Sequence, residues 1–498
     1  MPTTVILGAG IIGLSSAHFL ARIAPPDHRI HLVDPAPELF SSASGKAAGF
    51  LAKDWFAPAV ASLGALSFDL HRALAEEHNG RARWGYSESV SYSLDHTYHS
   101  DDSHADTPTS VPAPVPASSD LGATPSESAM RRTQGSDTPS LLDGEPGTED
   151  RHGDPSGLNS GLGQGGLDWL LSGASRATAA TEGPEAVEKA HSESAPALAS
   201  CDLPPWLLAS PGALEVLSDR TSTAQVVPRR LCEFLLEQCL AAGVTLHHPA
   251  RATTLVEDES DPGGARWLRI EYTVPPQSGA RAGTVDIPCE NIVIAAGCWT
   301  PRVYATLFPN ASRMPRIAHL AGYSATLRTK HWPPPAVPDC AERAPGPCHA
   351  VFTDAAGFAP EIFSRANGDV WLGGLNPPNT ALPALPTDAH ADPAEVARLL
   401  AVGRALCGDD VEVQGHALCF RPVSATGRPI IARMHEADLG DGLKPHGHGR
   451  SKDGRGGVFV ATGHGPWGIA LSLGTGRVVA EMVLGRETSA DVEQLSRW

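Results

Sequence analysis

The sequence has little positive charge and no long apolar run. Its 498 residues include 38 Lys or Arg against 56 Asp or Glu, which gives a formal net charge of -18 at pH 7. This balance disfavours binding to nucleic-acid phosphates and attraction to anionic membrane surfaces. No uninterrupted apolar run reaches the about 18 residues that a membrane-spanning helix needs. We therefore expect neither a nucleic-acid partner nor a membrane span.

The nine cysteines follow no recognisable pattern. None has the CxxC spacing of a metal site, and the odd number argues against a disulfide framework, so we expect reduced thiols. His446 and His448 form a lone HxH pair without carboxylate or cysteine neighbours, and we expect no metal there. Because a strand already begins at Val5, no signal peptide is expected, and we predict a cytoplasmic protein.

Residues 99–200 lack the periodic apolar positions of a folded segment. They are rich in Pro, Ser, Thr and Asp, apart from a short apolar patch around Trp169. Such a composition cannot bury enough apolar surface to offset the entropy of ordering the chain. We predict a long disordered insertion.

The rest of the chain interleaves two kinds of pattern. Apolar runs at 4–7 and 29–33 flank a helix at 11–22, which makes a βαβ unit. In contrast, HLAGYSATLR alternates like an antiparallel strand, and two further β runs flank an Asn-Gly turn at 366–369. We predict an α/β fold in which a Rossmann-like dinucleotide-binding domain is joined to a second, mainly antiparallel-sheet substrate domain. The first comprises 1–90, 213–310 and 420–498, and the second 91–98, 201–212 and 311–419.

The turn after the first strand has the sequence GAGIIG. Gly8 permits the tight turn, Gly10 lets the backbone approach a pyrophosphate, and Gly13 lets the following helix pack on the sheet. That helix presents free N–H groups to the phosphates. Asp34 ends the second strand, where a ribose hydroxyl is expected, and its carboxylate would repel the 2′-phosphate of NADP. These features predict a bound dinucleotide other than NADP.

The loop after the second strand favours FAD over NAD. Residues 41–55, SSASGKAAGFLAKDW, are small and contain few apolar side chains, so their backbone can contact an extended cofactor. NAD-binding domains usually continue directly into another helix at this point. The candidate contacts in this loop are Ser42, Ser44, Gly45, Lys46, Ala47 and Gly49.

Four blocks together resemble the FAD-dependent oxidoreductases of the D-amino-acid oxidase and sarcosine oxidase family. They are GAGIIG, VIAAGCWTP, CFRPVSATGRPII and VATGHGPWGIALSLGTGRVVAEMV, and AGFAPEIFSRANGDVWLGG further resembles a fungal subgroup. The resemblance spans most of the chain outside the insertion. It implies FAD as cofactor, a small amine or amino acid as substrate, and oxidation of its C–N bond by hydride transfer to the flavin. Dioxygen or another acceptor would then reoxidise the flavin.

The resemblance also implies where the two halves of FAD lie. The closing block would contact the flavin ring, and a helix beginning near Trp467 would direct its positive dipole end at the ring's pyrimidine edge. The first loop would hold the ADP half. Beyond the loop residues above, the implied cofactor contacts are Gly8, Ala9, Gly10, Ile11, Ile12, Gly13, Asp34, Ala296, Gly297, Trp299, Cys419, Gly463, His464, Gly465, Gly468 and Ile469.

Four side chains are candidates for the chemistry. In D-amino-acid oxidases a similar Phe-Arg-Pro-Val stretch is followed by an arginine that grips the substrate carboxylate, and Arg428 stands at that spacing, with Arg421 as the second candidate cation. His464 could contact the ring or the substrate, and Lys46 could contact the cofactor or assist oxygen reactivity. Related sarcosine oxidases attach their flavin through a cysteine in the segment that Cys419 occupies, so a covalent link is a further expectation.

Two other functions remain open on the sequence alone. The acidic, Ser/Thr-rich insertion would suit a scaffold or trafficking protein that retains the flavin fold and is switched by phosphorylation. The second alternative hypothesis is a flavin dehydrogenase that oxidises a hydroxy acid. The sequence does not name the substrate, the electron acceptor or the oligomeric state.

Overall fold

The computed structural model describes residues 1–94, 174–177, 203–208, 214–257, 266–273, 283–334, 346–440 and 456–498. Its helices are α1 (Ile11–Ile23), α2 (Ala43–Lys46), α3 (Pro58–His78), α4 (Gly80–Trp84), α5 (Pro228–Ala241), α6 (Thr300–Leu307), α7 (Pro393–Cys407) and α8 (Ser472–Val483). Its strands are β1 (Thr3–Leu7), β2 (Arg29–Val33), β3 (Phe50–Ala52), β4 (Ser87–Leu94), β5 (Leu214–Ser218), β6 (Thr223–Gln225), β7 (Thr245–His247), β8 (Ala250–Glu257), β9 (Arg266–Tyr272), β10 (Thr284–Pro288), β11 (Asn291–Ile294), β12 (Ile317–Arg328), β13 (Cys348–Thr353), β14 (Glu361–Ser364), β15 (Val370–Leu375), β16 (Glu412–Ser424), β17 (Ile430–Arg433) and β18 (Gly457–Thr462).

A six-stranded sheet forms the nucleotide-binding part. Its order is β17-β18-β11-β1-β2-β7, and all neighbours are parallel except β17 and β18. The two apolar runs predicted to form a βαβ unit are adjacent, since Thr4 lies opposite Ile30 and Leu7 opposite Val33. The carboxyl ends of β1, β2, β11 and β18 therefore meet at one edge, where open α/β sheets bind their ligands.

Helices α1 and α8 pack closely against each other beside this sheet. α1 packs against α8 and α5. A Cβ atom on Gly476 of α8 would lie 2.4 Å from the carbonyl carbon of Ser15 in α1. Because Gly476 has no side chain, α8 can cross α1 at a short distance that a larger residue would prevent. This contact holds α8 against the first βαβ unit.

The second large sheet has nine strands and is mainly antiparallel. Its order is β16-β12-β15-β14-β13-β4-β6-β3, with β5 paired to β4. β14 and β15 form the predicted hairpin, with Ile362 opposite Leu372. β12 and β16 run side by side over their whole lengths, and Gly322 lies opposite Cys419. The strands β10, β9 and β8 form a small separate antiparallel sheet. The α/β fold with a mainly antiparallel second sheet is thus confirmed.

The sequence-based boundaries cut across two features of these sheets. The boundary at residue 420 falls inside β16, which pairs with β12 in the nine-stranded sheet. β3 belongs to the same sheet, although it lies within the 1–90 segment. Some segments that the sequence assigned to the FAD-binding domain thus contribute strands to the nine-stranded sheet. The domain limits are therefore a proposal.

Two further expectations are corrected by the structure. The helix predicted to begin near Trp467 begins at Ser472, and a short 3-10 turn at Gly465–Trp467 precedes it. Within the predicted insertion, residues 174–177 are described, and Ser175 and Arg176 are buried. The expected disorder therefore does not extend to these four residues, and the remainder of 99–200, including Trp169 and its apolar patch, lies outside the described residues.

In the described part of the chain, no helix combines the length and the apolar composition that crossing a membrane requires.

Candidate active site

One cavity of about 820 Å³ follows the edge where the parallel strands end. It continues between the loop after β2 and the paired strands β12 and β16. Its volume falls within the about 300–1,000 Å³ of small-molecule and cofactor sites. One cavity therefore contacts both of the regions that the sequence assigned to the two halves of a cofactor.

The GAGIIG turn forms one end of this cavity. Gly8 has a left-handed φ of +108°, and a Cβ there would lie 2.5 Å from the carbonyl oxygen of Ala295. Gly10 precedes α1 as its N-cap and lines the cavity, so the helix start faces the open space. Gly13 packs directly on the turn, because a Cβ there would lie 1.9 Å from the carbonyl oxygen of Gly8. The three glycines thus occupy the geometry predicted for them.

Asp34 lies at the same end, after β2. Its carboxylate accepts hydrogen bonds from the backbone N–H groups of Ala9, at 2.8 Å, and Ala36, at 3.0 Å. Burial raises the pKa of Asp34, and these two N–H groups oppose the rise. The carboxylate is therefore held on the cavity wall, where it can accept a hydrogen bond from a hydroxyl group of a ligand.

Replacing Asp34 should weaken FAD binding in a graded way. We expect Asp34→Ala to lower FAD affinity by about tenfold or more, because a hydrogen bond to a charged group contributes about 1.5–3 kcal/mol. Asp34→Asn retains an oxygen for Ala9 and should lose less. Titration of the apoprotein with FAD, followed by quenching of flavin fluorescence, measures both. Equal affinities for Asp34→Ala and the unaltered protein would contradict this role.

The loop after β2 is fixed by backbone contacts. Ser44 Oγ accepts a hydrogen bond from the N–H of Ile11 at 3.0 Å. The buried Arg365 donates to the carbonyl oxygens of Ala47 and Ala48 at 3.0 and 2.9 Å. Arg365 could not be found from the sequence, because its partners are main-chain atoms more than 300 positions away. These hydrogen bonds connect the loop to the start of α1 and to the nine-stranded sheet.

Most of the cofactor residues implied by sequence line this one cavity. The lining members are Gly8, Gly10, Ile11, Ile12, Asp34, Ser42, Ser44, Lys46, Ala47, Gly49, Ala296, Gly297, Trp299, Cys419, His464, Gly465, Gly468 and Ile469. The structure places four others behind the wall, namely Ala9, Gly13, Gly45 and Gly463. Ala9 and Gly13 support the site through Asp34 and the Gly8 turn respectively.

The other end of the cavity contains Cys419 and His464. Cys419 is buried on β16, and burial raises the pKa of its thiol, an effect that the cations of Arg421 and Lys46 oppose. Cys298 also lines the wall, and its thiol contacts the carbonyl oxygen of Phe420 at 3.4 Å. This end therefore combines two un-ionised thiols with two cationic side chains.

His464 is a neutral imidazole in this wall. Its Nε2 shares a hydrogen bond of 3.0 Å with the Thr475 hydroxyl, and burial lowers its pKa to about 3. Its Nδ1 is buried without a hydrogen-bond partner among the described residues. Such orphaned atoms are rare in native proteins, and a bound polar group at the wall commonly satisfies them.

Buried neutral histidines should make the protein less stable in acid. Burial lowers the pKa of His18 and of His71 to about 4 each, and that of His464 to about 3. Below about pH 6.5 the unfolded chain binds these protons and the folded chain does not, so stability falls as the pH drops from 6.5 towards 4, by up to about 1.4 kcal/mol per pH unit for each group.

Urea unfolding at several pH values measures this slope. A His18→Gln variant has one such group fewer, so its slope between pH 6.5 and 4 should be shallower. Parallel pH profiles for the variant and the unaltered chain would show that His18 does not contribute.

The two candidate arginines occupy different places. Arg421 lines the cavity, and its Nη1 donates to Asn376 Oδ1 at 2.5 Å. A Cβ on Gly322, on the neighbouring strand, would lie 2.4 Å from that same nitrogen, so a bare glycine makes room for the guanidinium. Arg428 is outside the described cavity wall and donates to Gln494 Oε1 at 3.0 Å. Arg421, rather than Arg428, is therefore positioned to meet a ligand.

A further arginine comes from the predicted insertion. Arg176 lines the cavity, and its guanidinium forms a bidentate ion pair with Glu361 at 2.8 and 2.9 Å. It also lies over the Trp467 ring, 4.8 Å from the centroid. Sequence reasoning missed it because its surroundings in the chain are low in complexity, and its burial depends on strands nearly 200 residues further on.

The charges of the wall contrast with those of the whole chain. Five cations line the cavity, and Asp34 is the one carboxylate among the described lining residues. The protein as a whole carries a formal charge of -18. Arg176 and Arg251 are ion-paired with Glu361 and Glu271, so the field in the cavity comes mainly from the other three cations, and low-dielectric walls focus it. The five cations are Lys46, Arg176, Arg251, Arg302 and Arg421.

In the ranges that the structure describes, no group of three or more His, Cys, Asp or Glu side chains is arranged to hold a metal ion. His446 and His448 lie outside those ranges.

A parallel sheet, a glycine turn and an acidic residue after the second strand define a dinucleotide-binding protein of the Rossmann type. A family described as FAD dependent oxidoreductase (DAO) matches residues 3–107 and 175–482. The chain belongs to this family of FAD-dependent oxidoreductases.

Individual relatives are similar over almost the full length. The "Putative oxidoreductase C1F5.03c" of Schizosaccharomyces pombe is 24% identical over 515 residues, covering 99% of this chain and 96% of that protein. Glycine oxidase from Geobacillus kaustophilus has a similar structure, with a TM-score of 0.60 and 20% identity over 100% of this chain and 98% of that one. Iminodiacetate oxidase from Chelativorans sp. BNC1 gives a TM-score of 0.57 and 18% identity over 99% and 98% of the respective chains.

The residues present fit the family's cofactor. The glycine turn lines the cavity, where the main chain packs too closely for a Cβ on Gly8, and the helix start beside it suits a pyrophosphate. Asp34 is held for a ribose hydroxyl, and the wall at the opposite end carries the unpartnered Nδ1 of His464. The residues of this cavity therefore fit FAD, which they would hold at its two ends.

Proposed function

We propose that this protein oxidises a C–N bond of a small amino acid. The observation that carries the proposal is the cationic cavity wall of an acidic protein, with Arg421 and Lys46 beside Cys419. A carboxylate is the group that such a wall selects, and guanidinium groups bind it bidentately. The similar glycine oxidase and iminodiacetate oxidase act on carboxylate-bearing amines, as their names state.

The chain's own residues bind and orient this substrate. FAD, when bound, supplies the acceptor for the two electrons of the oxidation. Arg421 would hold the carboxylate, which fixes the direction of the neighbouring carbon and nitrogen. The cations of the wall also lower the pKa of a bound amine, because they disfavour a second positive charge close by. The substrate nitrogen is thereby kept in the neutral form that can release its electron pair.

The buried wall around the site also limits the access of water and the exchange of protons. Trp371 and Cys419 are buried, and His464 is not an imidazolium acid at ordinary pH, because burial lowers its pKa to about 3. The site therefore relies on positioning and on the fixed charges of Arg421 and Lys46. This arrangement suits a reaction that needs no strong acid.

An anaerobic reduction experiment tests the proposal. The FAD-loaded full chain is mixed with a panel of D- and L-amino acids, glycine, N-methylated amino acids and hydroxy acids, and the visible flavin absorbance is followed. We expect bleaching by at least one amino acid and none by hydroxy acids. Bleaching by hydroxy acids alone would favour a hydroxy-acid dehydrogenase, and bleaching by no compound would favour a scaffold role. Admission of dioxygen, with assay of peroxide, then identifies the acceptor.

We also propose that Cys419 is the residue to test for covalent flavin attachment. It lines the cavity, and two cations lie close enough to oppose the burial effect on its pKa. Acid precipitation of the FAD-loaded protein should leave yellow colour in the pellet, and Cys419→Ser should release it to the supernatant. Colour in the supernatant for both proteins would rule out the link and leave FAD bound non-covalently.

A further inference from the structure

The Arg421 side chain lies across the nine-stranded sheet. Arg421 is on β16 opposite Leu320 of β12, and a Cβ atom on Gly322 of β12 would lie 2.7 Å from the Cζ atom of Arg421. Side chains of a strand normally stand roughly perpendicular to the sheet. The Arg421 side chain therefore runs along the sheet surface and passes over β12 at Gly322, where any side chain would block its path.

Asn376 holds the far end of this side chain. It directly follows β15, the strand on the other side of β12, and its Oδ1 accepts a hydrogen bond from Arg421 Nη1 at 2.5 Å. Because neighbouring strands lie about 4.8 Å apart, an arginine on β16 has to extend across β12 to reach this amide. The guanidinium is thus fixed by its own strand at one end and by Asn376 at the other.

The partner of Arg421 is an amide and not a carboxylate. An amide oxygen accepts the hydrogen bond without a net charge, whereas a carboxylate would also neutralise the guanidinium. Among the residues that the structure describes, no carboxylate forms an ion pair with Arg421. Asn376 therefore orients the guanidinium and leaves its charge available to a ligand in the cavity that Arg421 lines.

We propose that Asn376 is a positioning residue that directs Arg421 towards the substrate carboxylate. The inference rests on the proposed function, in which Arg421 holds that carboxylate. It makes two demands on the side chain at 376, which has to accept a hydrogen bond and has to be uncharged. A residue that only supported the fold would meet the first demand alone, so Asn376→Asp separates the two roles.

Acetate binding measures the consequence without turnover. Acetate is titrated into the FAD-loaded full chain, and the change in the flavin absorption spectrum, with calorimetry as a second readout, gives its affinity. We expect Asn376→Asp to weaken acetate at least about tenfold, because the new carboxylate competes for the guanidinium and repels the ligand. Asn376→Ala keeps the charge and frees the guanidinium, so a smaller loss of about threefold is expected.

Two controls assign the effect to the contact with Arg421. Asn379 is exposed in the same loop, so Asn379→Asp adds the same charge in solvent, and its acetate affinity should stay within about twofold. In an Arg421→Met background, Asn376→Ala should change acetate binding less than about twofold, because no guanidinium is left to orient. Equal weakening by Asn379→Asp and Asn376→Asp would overturn the proposal, as would an unchanged affinity for Asn376→Asp.

Stability is the readout that distinguishes positioning from support of the fold. Asn376→Asp retains the acceptor for Arg421 Nη1, so the FAD-loaded variant should unfold at the same urea concentration as the unaltered chain or at a higher one. Weak acetate binding by a normally stable Asn376→Asp protein is the expected result. Parallel losses of stability and of acetate affinity in both Asn376 variants would mean that this residue only supports the fold.

The outcomes also separate this inference from the proposed function. If Arg421→Met and Asn376→Asp both weaken acetate and an amino acid reduces the flavin, both stand. If both variants weaken acetate while no amino acid reduces the flavin, the positioned anion site stands and the proposed reaction fails. If an amino acid reduces the flavin and Arg421→Met alone weakens acetate, the reaction stands and the role of Asn376 fails.

Discussion

Arg421→Met is expected to raise the KM for the amino-acid substrate by about 100-fold, with a smaller effect on kcat. The guanidinium lines the cavity, and its loss removes two charge-assisted hydrogen bonds to the carboxylate, worth about 3 kcal/mol together. Binding of FAD should change little, because the ADP end of the cavity is formed by other residues. Steady-state kinetics with the best amino acid of the reduction panel measure the effect.

Arg428→Met is the matched control. The two arginines lie seven positions apart, but Arg428 donates to Gln494 and is outside the described cavity wall. We expect its KM to stay within about twofold of the unaltered enzyme, since Arg428 does not line the cavity and its described side-chain partner is the uncharged Gln494. The opposite pattern, with a large effect at Arg428 and none at Arg421, would restore the role that the sequence resemblance gave to Arg428.

Gly13→Val is expected to abolish FAD binding and to destabilise the fold. Even the Cβ atom would lie 1.9 Å from the carbonyl oxygen of Gly8, and 3.4 Å from the Ile6 side chain. The obstacle is main chain in the turn that faces the cofactor, so it cannot move aside without opening the site. We expect a loss of more than about 3 kcal/mol of folding stability, the upper range for overpacking, and a colourless protein.

Gly415→Ala provides the comparison for this variant. Gly415 lies on β16 with no atom within 4 Å of the added Cβ, so alanine should be tolerated there. Thermal unfolding and flavin content of the two purified variants give the result. A yellow, normally stable Gly13→Val protein would show that α1 can shift away from the turn, and the assigned packing role of Gly13 would be wrong.

The sequence was most informative where function depends on neighbouring residues. The GAGIIG turn, α1 and β2 lie within 34 residues, and each glycine has the local geometry that its position requires. The hairpin of β14 and β15 was equally accessible, because an Asn-Gly turn and alternating strands are local signals. These segments were predicted correctly because short-range sterics and periodicity determine them.

The sequence was least informative about which charged side chains meet. Arg421 and Arg428 stand in one block and resemble the family equally, yet β16 carries Arg421 into the cavity, and Arg428 comes after that strand ends. Arg176 lay in a segment predicted to be disordered. Its burial follows from Glu361 and Trp467, whose positions depend on both large sheets.

The sequence by itself determined the nucleotide-binding unit, the alternation of two sheet types and the family with its cofactor. These follow from patterns in which residues a few positions apart act together, or from several distant blocks that match one family. Only the tertiary structure decided that one continuous cavity joins Asp34 to His464, and which arginines line it. Side chains far apart in the chain meet through the pairing register of β12 with β16 and of β11 with β1, and a one-residue slip would turn them to the opposite face.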